Sequence, residues 1–227
     1  MGLGSSDRTC RVAVFIDWQN TYFSAREAFG FGRDSHGGNI RPFMLARRLA
    51  EDRLEDQGQG ELARLRIYSG QASQTRDAKT YAANRRQFQS WRNSSSAVEV
   101  ITRTLDYSLG TPREKGIDVK LAIDVVRATL IEDEHDVAIV VSADTDLLPA
   151  LELVAEERGP RAVEVAAWRG PNWSPSPLAL AGHSIRQHLL TREVYGFVED
   201  TRNYAIRRAD EEGQMGSGGW GRRRRGT

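Results

Sequence analysis

The residues of this chain best suited to chemistry are aspartates that close buried strands. Ile139 to Leu148 reads Ile-Val-Val-Ser-Ala-Asp-Thr-Asp-Leu-Leu, so Asp144 and Asp146 stand one residue apart just after the apolar run Val137 to Val141. An unbroken run of that kind predicts a parallel strand covered on both faces, and ligands of open α/β sheets gather at the carboxyl ends of such strands. Leu147 to Glu157 reads as a helix, which sets both acids in a strand-to-helix turn beside a positive helix N-terminus. Helix capping by Asp explains the local pattern as well as a reactive site does. A similar arrangement comes early in the chain, where the short apolar run Val12 to Ile16 ends in Asp17-Trp18-Gln19-Asn20. Further acids lie on the helix that starts near Lys115-Gly116-Ile117-Asp118. On helical geometry Asp118 shares a face with Ala122, Val125 and Thr129, whereas Asp124 falls on another face beside Lys120 and Arg127. Asp124 thus has ordinary ionic partners and ranks second, while Asp118 in a mostly apolar first turn calls for a helix-dipole effect or a ligand.

The elements that must position these acids follow from the rest of the chain. Its 227 residues, 39% hydrophobic and 28% charged, suit one sizeable α/β domain. Strands are predicted at Val12 to Ile16, Leu62 to Tyr68, Ala97 to Thr102, Val137 to Val141 and Ala162 to Ala167, alternating with helices at Tyr22 to Phe29, Pro42 to about Asp56, Thr75 to Arg92, Lys115 to about Ile131 and Leu147 to Glu157. Gly30 to Asn39 is a Gly-rich loop without the third glycine or the preceding strand that a dinucleotide fingerprint requires. Trp168 to Pro177 is irregular, and Leu178 to Arg207 reads as mixed and mostly helical. The helix from Thr75 to Arg92 interleaves arginines with Tyr81, Phe88 and Trp91, consistent with a solvated amphipathic helix or with a face turned to nucleic acid. The expected organisation is an N-terminal extension over 1–10, a domain over 11–212 whose C-terminal extension begins near 168, and a disordered Gly/Arg-rich tail over 213–227. In that tail Trp220 and Arg222, Arg223, Arg224 and Arg225 suit phosphate contact and base stacking.

A net charge of +1 leaves any attraction to nucleic acid to local patches. The single cysteine, Cys10, excludes an intrachain disulfide, and no apolar stretch of about 18 residues appears, so a soluble cytoplasmic protein is expected. His36, His135, His183 and His188 form no zinc-ligand spacing.

Taken in order, Phe15-Ile16-Asp17-Trp18-Gln19-Asn20, Lys115 to Asp124 and Ser142-Ala143-Asp144-Thr145-Asp146 resemble the signatures of the NYN domain family, also called LabA-like or DUF88, of the PIN-like nuclease superfamily. The resemblance covers about residues 11 to 167. Ala143 stands where the family usually has Gly and Leu147 where an aromatic is common, but no carboxylate is lost. What the resemblance implies is a three-layer α/β/α sandwich with a mainly parallel five-stranded sheet, PIN-like, whose first and fourth strands are neighbours at the topological switch point. Asp17, Asp118 and Asp144 would then meet and hold one or two metals, with Asp146 and the family-matched Asp124 as ligands or as acceptors behind them. All-oxygen donors suit Mg2+ or Mn2+. Asn20 and Ser142 would position a water or a phosphate oxygen, although Asn20 also reads as a helix cap. The implied function is a divalent-metal-dependent nuclease hydrolysing phosphodiester bonds, an endoribonuclease acting on single-stranded or structured RNA, with a homodimer or a protein partner left open. A rival is a catalytically weak nucleic-acid-binding or adaptor module of the same fold. Another rival, a phosphatase of the haloacid dehalogenase type, needs a second aspartate in its first turn that Asp17-Trp18-Gln19-Asn20 lacks.

Overall fold

The structure is a computed structural model and describes residues 9–32, 37–52, 60–174, 180 and 182–205. Residues 33–36 of the Gly-rich loop, 53–59 at the expected end of the second helix, and the C-terminal tail with Trp220 and Arg222 to Arg225 lie outside the described residues. The elements run β1 (Cys10–Asp17), α1 (Trp18–Ala28), α2 (Pro42–Glu51), β2 (Gly60–Gln71), α3 (Ala78–Arg92), β3 (Val98–Thr104), α4 (Ile117–Leu130), β4 (Val137–Val141), α5 (Leu148–Arg158), β5 (Val163–Trp168), β6 (Arg186–Leu190) and α6 (Arg192–Val198). Short 3-10 turns at Thr145–Leu147 and Pro160–Ala162 flank α5.

The strands form one sheet in the order β3-β2-β1-β4-β5-β6, and every pairing is parallel. Central β1 and β4 are buried on both faces, which explains their near-continuous apolar composition. Alternation along β1 divides the core. Val12, Val14 and Ile16 pack with α1, α2, α3 and α6, whereas Ala13 and Phe15 pack with α4 and α5 on the other face. The result is the expected three-layer sandwich. The order reverses at β1 and β4, so the crevice at their carboxyl ends is the topological switch point.

The sheet has six strands rather than five. The addition, β6, lies within the segment expected to be mostly helical and pairs in parallel with β5. Its pattern Arg-Gln-His-Leu-Leu hides a strand because its fully inward polar residue is a histidine: His188 Nε2 lies 2.7 Å from Glu164 Oε2, and both side chains are buried. A hydrogen-bonded polar pair thus takes the place of two apolar core residues, and hydropathy alone does not register it. The only helix in that stretch among the described residues is the short α6. Helix α1 also starts four residues earlier than expected, directly after Asp17.

Candidate active site

Two strand-to-helix turns are laced together at the switch point. Asp17 caps α1, its Oδ1 accepting the Asn20 backbone N–H at 3.1 Å. The other oxygen accepts the Ser142 hydroxyl at 3.2 Å, and Ser142 Oγ in turn accepts the Asp144 N–H at 3.1 Å. Asn20 Oδ1 accepts the Ala143 N–H at 3.0 Å, and the Thr21 hydroxyl donates to the Val141 carbonyl at 3.3 Å. Asn20 is therefore a tie between turns rather than a helix cap. Asp144 Oδ1 accepts the Asp146 N–H at 3.0 Å, closing the turn after β4.

A third element comes from α4. Continuing the parity of Ala13 and Phe15, Asp17 is the next β1 residue on the α4 face, and α4 begins with Asp118 in its first turn. Gly116 at the cap has φ 70°, a left-handed conformation that favours glycine, and a Cβ there would meet Arg103 Nη1 at 3.1 Å. The three elements enclose a pocket of about 470 Å³ lined by Asp17, Asp118 and Asp144, together with Glu27 and Glu114. The lining holds five carboxylates and no Lys, Arg or His.

Burial pushes the Asp17 carboxyl up to about 6; the Asn20 N–H and the Ser142 hydroxyl oppose that rise, and the charges of Asp144 and Asp118 add to it. Glu114 is also raised, first by burial and then by Asp17 and Asp118, against the Gly70 N–H it accepts. These shared influences tie all four acids into one electrostatic unit. No three acids, histidines or cysteines among the described residues already stand at mutual ligand spacing. The all-oxygen donor set fits a hard divalent cation, which takes one or two carboxylates directly and keeps several waters.

The structure sorts the remaining sequence candidates. Asp146 is exposed and does not line the pocket. Asp124 is buried outside it, accepting the Tyr68 hydroxyl at 2.9 Å and ion-paired with Lys120. The expected Arg127 partner instead pairs with Glu132. The inward stripe of α4 is Ile117, Leu121, Asp124, Val125 and Ala128, so Asp124 faces the sheet rather than lying with the solvated charges. Ser142 is buried and occupied with Asp17 and Asp144.

Glu114, Glu27, Phe23 and Trp173 went unmarked in the sequence. Glu114 reads as the end of a loop, and only its closeness to the Lys115-Gly116 step hinted at a role. Phe23, 56% exposed on α1, and the half-buried Trp173 line the pocket beside the acids. Gly116 also borders a neighbouring pocket that carries Arg103 and Lys115 together with Asp106, bringing two cations and one acid to the rim.

The fold is that of a parallel α/β domain with an acid-lined crevice at its switch point, and comparison with known proteins gives its family. A model of the NYN domain matches residues 11–185. The chain belongs to the NYN domain family, within the PIN-like nuclease superfamily. Among solved structures it is similar to a protein of unknown function from Vibrio parahaemolyticus RIMD 2210633, at 20% identity, 72% coverage of this chain and 84% of that one, with a TM-score of 0.49. No curated protein matches the sequence. Among the described residues no helix is long and apolar enough to cross a membrane.

Proposed function

We propose that the pocket at the β1/β4 switch point is the active site of a divalent-metal-dependent endoribonuclease. The observation that carries this reading is the convergence of Asp17, Asp118, Asp144 and Glu114, from three separate parts of the chain, on one pocket without a cation of its own. The charges of Asp144 and Asp118 add to the raised pKa of Asp17, and those of Asp17 and Asp118 to that of Glu114, and such crowding favours a bound counter-ion. Asp17 and Asp144, steadied by Ser142, are the residues proposed to hold Mg2+ or Mn2+, with Asp118 and Glu114 closing the α4 side. When bound, such a cation supplies Lewis acidity and offsets charge at a phosphate.

The chain's own residues do the rest. Asn20 and Ser142 keep the two turns in register through the Ala143 and Asp144 N–H groups, so that the carboxylates are organised before substrate arrives. Asp124 works from behind the pocket, because the Tyr68 hydroxyl it accepts holds α4 against β2 while Lys120 pairs with it along the helix. Asp146 donates its N–H to Asp144, which caps the turn, and its own carboxylate stays available at the rim. Arg103 and Lys115 hold flanking phosphates, and Arg222 to Arg225 of the tail add sequence-tolerant phosphate contacts. Phe23 and Trp173 offer aromatic faces to unpaired bases, which favours single-stranded RNA.

The test is incubation of the purified chain with end-labelled single-stranded RNA, with and without Mn2+, beside Asp144→Asn. Metal-dependent internal cleavage, absent in the variant, is expected. Intact RNA under every metal condition, with binding retained, would favour the adaptor reading.

A further inference from the structure

The acidic pocket cannot attract a polyanion by itself, so the positive charge that recruits one must lie elsewhere on the molecule. Several surface arginines do not supply it, because they are neutralised locally. Arg11 pairs with Asp136, Arg47 with Glu51, Arg48 with Asp52, Arg66 with Glu99 and Glu134, Arg127 with Glu132, and Arg158 with Asp133.

Helix α3 carries a cluster of arginines that are not neutralised in this way. Its sequence, AKTYAANRRQFQSWR, contains no acid, so no ion pair can form along it. Arg85, Arg86 and Arg92 pair with no carboxylate among the described residues. Arg86 donates to the Tyr204 carbonyl at 2.8 Å and Arg92 to the Val100 carbonyl at 3.2 Å, which leaves other N–H groups of each guanidinium for a ligand. All three line a groove of about 1030 Å³ whose remaining walls are Gln, Asn, Ser, Ala and aromatic side chains, again without a carboxylate.

The groove is also joined to the active edge. It begins at Gln71, the last residue of β2, and the neighbouring Gly70 donates its N–H to Glu114 of the acidic pocket. Gly70 is the right residue there, since a Cβ would lie 2.4 Å from Leu105 Cδ2 and 2.8 Å from Glu114. Trp18, next to Asp17, packs on Trp91 of α3 with ring centroids 4.4 Å apart, which anchors the helix beside the turn that carries Asp17.

We infer that the α3 groove binds the sugar-phosphate backbone of the RNA strand that enters the acidic pocket, with Arg85 and Arg92 as phosphate contacts and Tyr81 as a stacking face. The inference rests on the nuclease reading for the fate of the RNA but not for its binding. Its charge selects the occupant: unpaired guanidiniums fork onto phosphate oxygens.

The experiment is fluorescence anisotropy with labelled single-stranded RNAs of about sixteen and about four nucleotides in chelator, so that nothing is cleaved, at several salt concentrations. Compared with wild type, Arg85→Gln/Arg92→Gln should bind the longer RNA about tenfold more weakly, with a log–log salt slope shallower by about 1.4, roughly 0.7 for each lost phosphate contact. Arg85→Gln alone, which removes no hydrogen bond to a described residue, should give about half that slope change. The four-nucleotide RNA should bind equally to all. Equal affinity and slope for the longer RNA would overturn the inference, as would polyglutamate of matched charge competing as well as RNA, which would give the groove to an acidic protein. A wild type that binds with the expected slopes but cleaves nothing in Mn2+ would sink the nuclease reading and leave the groove standing.

Discussion

Asp17 and Ser142, 125 positions apart, share a buried hydrogen bond of 3.2 Å at the carboxyl ends of adjacent strands β1 and β4. The contact turns two ordinary strand-to-helix turns into one site, since Ser142 passes the connection on to Asp144. It also gives Asp17 its character: a carboxyl buried enough to resist ionisation, yet supplied with two donors that favour the charge.

Metal should stabilise the wild-type fold through this cluster. At a cation concentration of one hundred times Kd the gain is about 2.7 kcal/mol, visible as a rise in Tm. Asp144→Asn keeps an oxygen for the Asp146 N–H and should fold normally, yet lose most of the metal-dependent rise together with RNA cleavage. A variant that still shows the full rise would remove Asp144 from the metal site.

The pH dependence of stability has two opposing parts. Asp17 has its folded pKa raised from 3.8 to about 6, so its contribution is fully present below about pH 4 and is lost as pH rises through 6. His135 is lowered from 6.5 to about 4, first by burial and then by Arg66 and Arg11; its contribution is present above pH 6.5 and is lost as pH falls through 4. Asp17→Asn should therefore raise metal-free stability near pH 7.5 by on the order of 2–3 kcal/mol. The same variant should lose stability more steeply than wild type between pH 6.5 and 4, because Glu114 is then the raised acid of the pocket left to oppose His135. Parallel urea-melt curves for the two proteins across this range would show that Asp17 ionises normally.

The two acids of α4 should separate by readout. Half-buried Asp118 faces the pocket, so Asp118→Asn should leave Tm nearly unchanged while cutting the single-turnover rate at saturating Mn2+ about 100-fold. Buried Asp124 holds Tyr68 and Lys120, and Asp124→Asn should cost roughly 1–3 kcal/mol of stability. Full rate in Asp118→Asn with a stable but inactive Asp124→Asn would reverse these roles.

Phe23 tests strandedness. Stacking on an aromatic side chain contributes about 1–3 kcal/mol per base, so Phe23→Ala should raise KM for single-stranded RNA about tenfold with little change in kcat. Phe23→Trp should restore it. If cleavage of a duplex of the same sequence falls equally, the ring is packing protein rather than base.

The sequence alone determined where the acids stand within their own elements. Val12 to Ile16 and Val137 to Val141 are so apolar that they had to be central strands, and Asp17 and Asp144 therefore had to emerge at carboxyl ends. Side-chain parity and helical repeat are local properties, and the ordered motifs carried the family and the three-layer fold. Tertiary structure decided which faces meet. Asp124 ranks second in the sequence because Lys120 and Arg127 flank it in the helical repeat, but the packing of α4 on β2 turns it toward Tyr68. Glu114 belongs to the site only because Gly70, 44 residues away, donates to it. Strand β6 depends on a buried His188–Glu164 pair joining residues 24 apart, and no hydropathy pattern announces two polar side chains that satisfy each other. Each of these outcomes is set by a contact between elements distant in the chain, where the period of a single element carries no information about its partner.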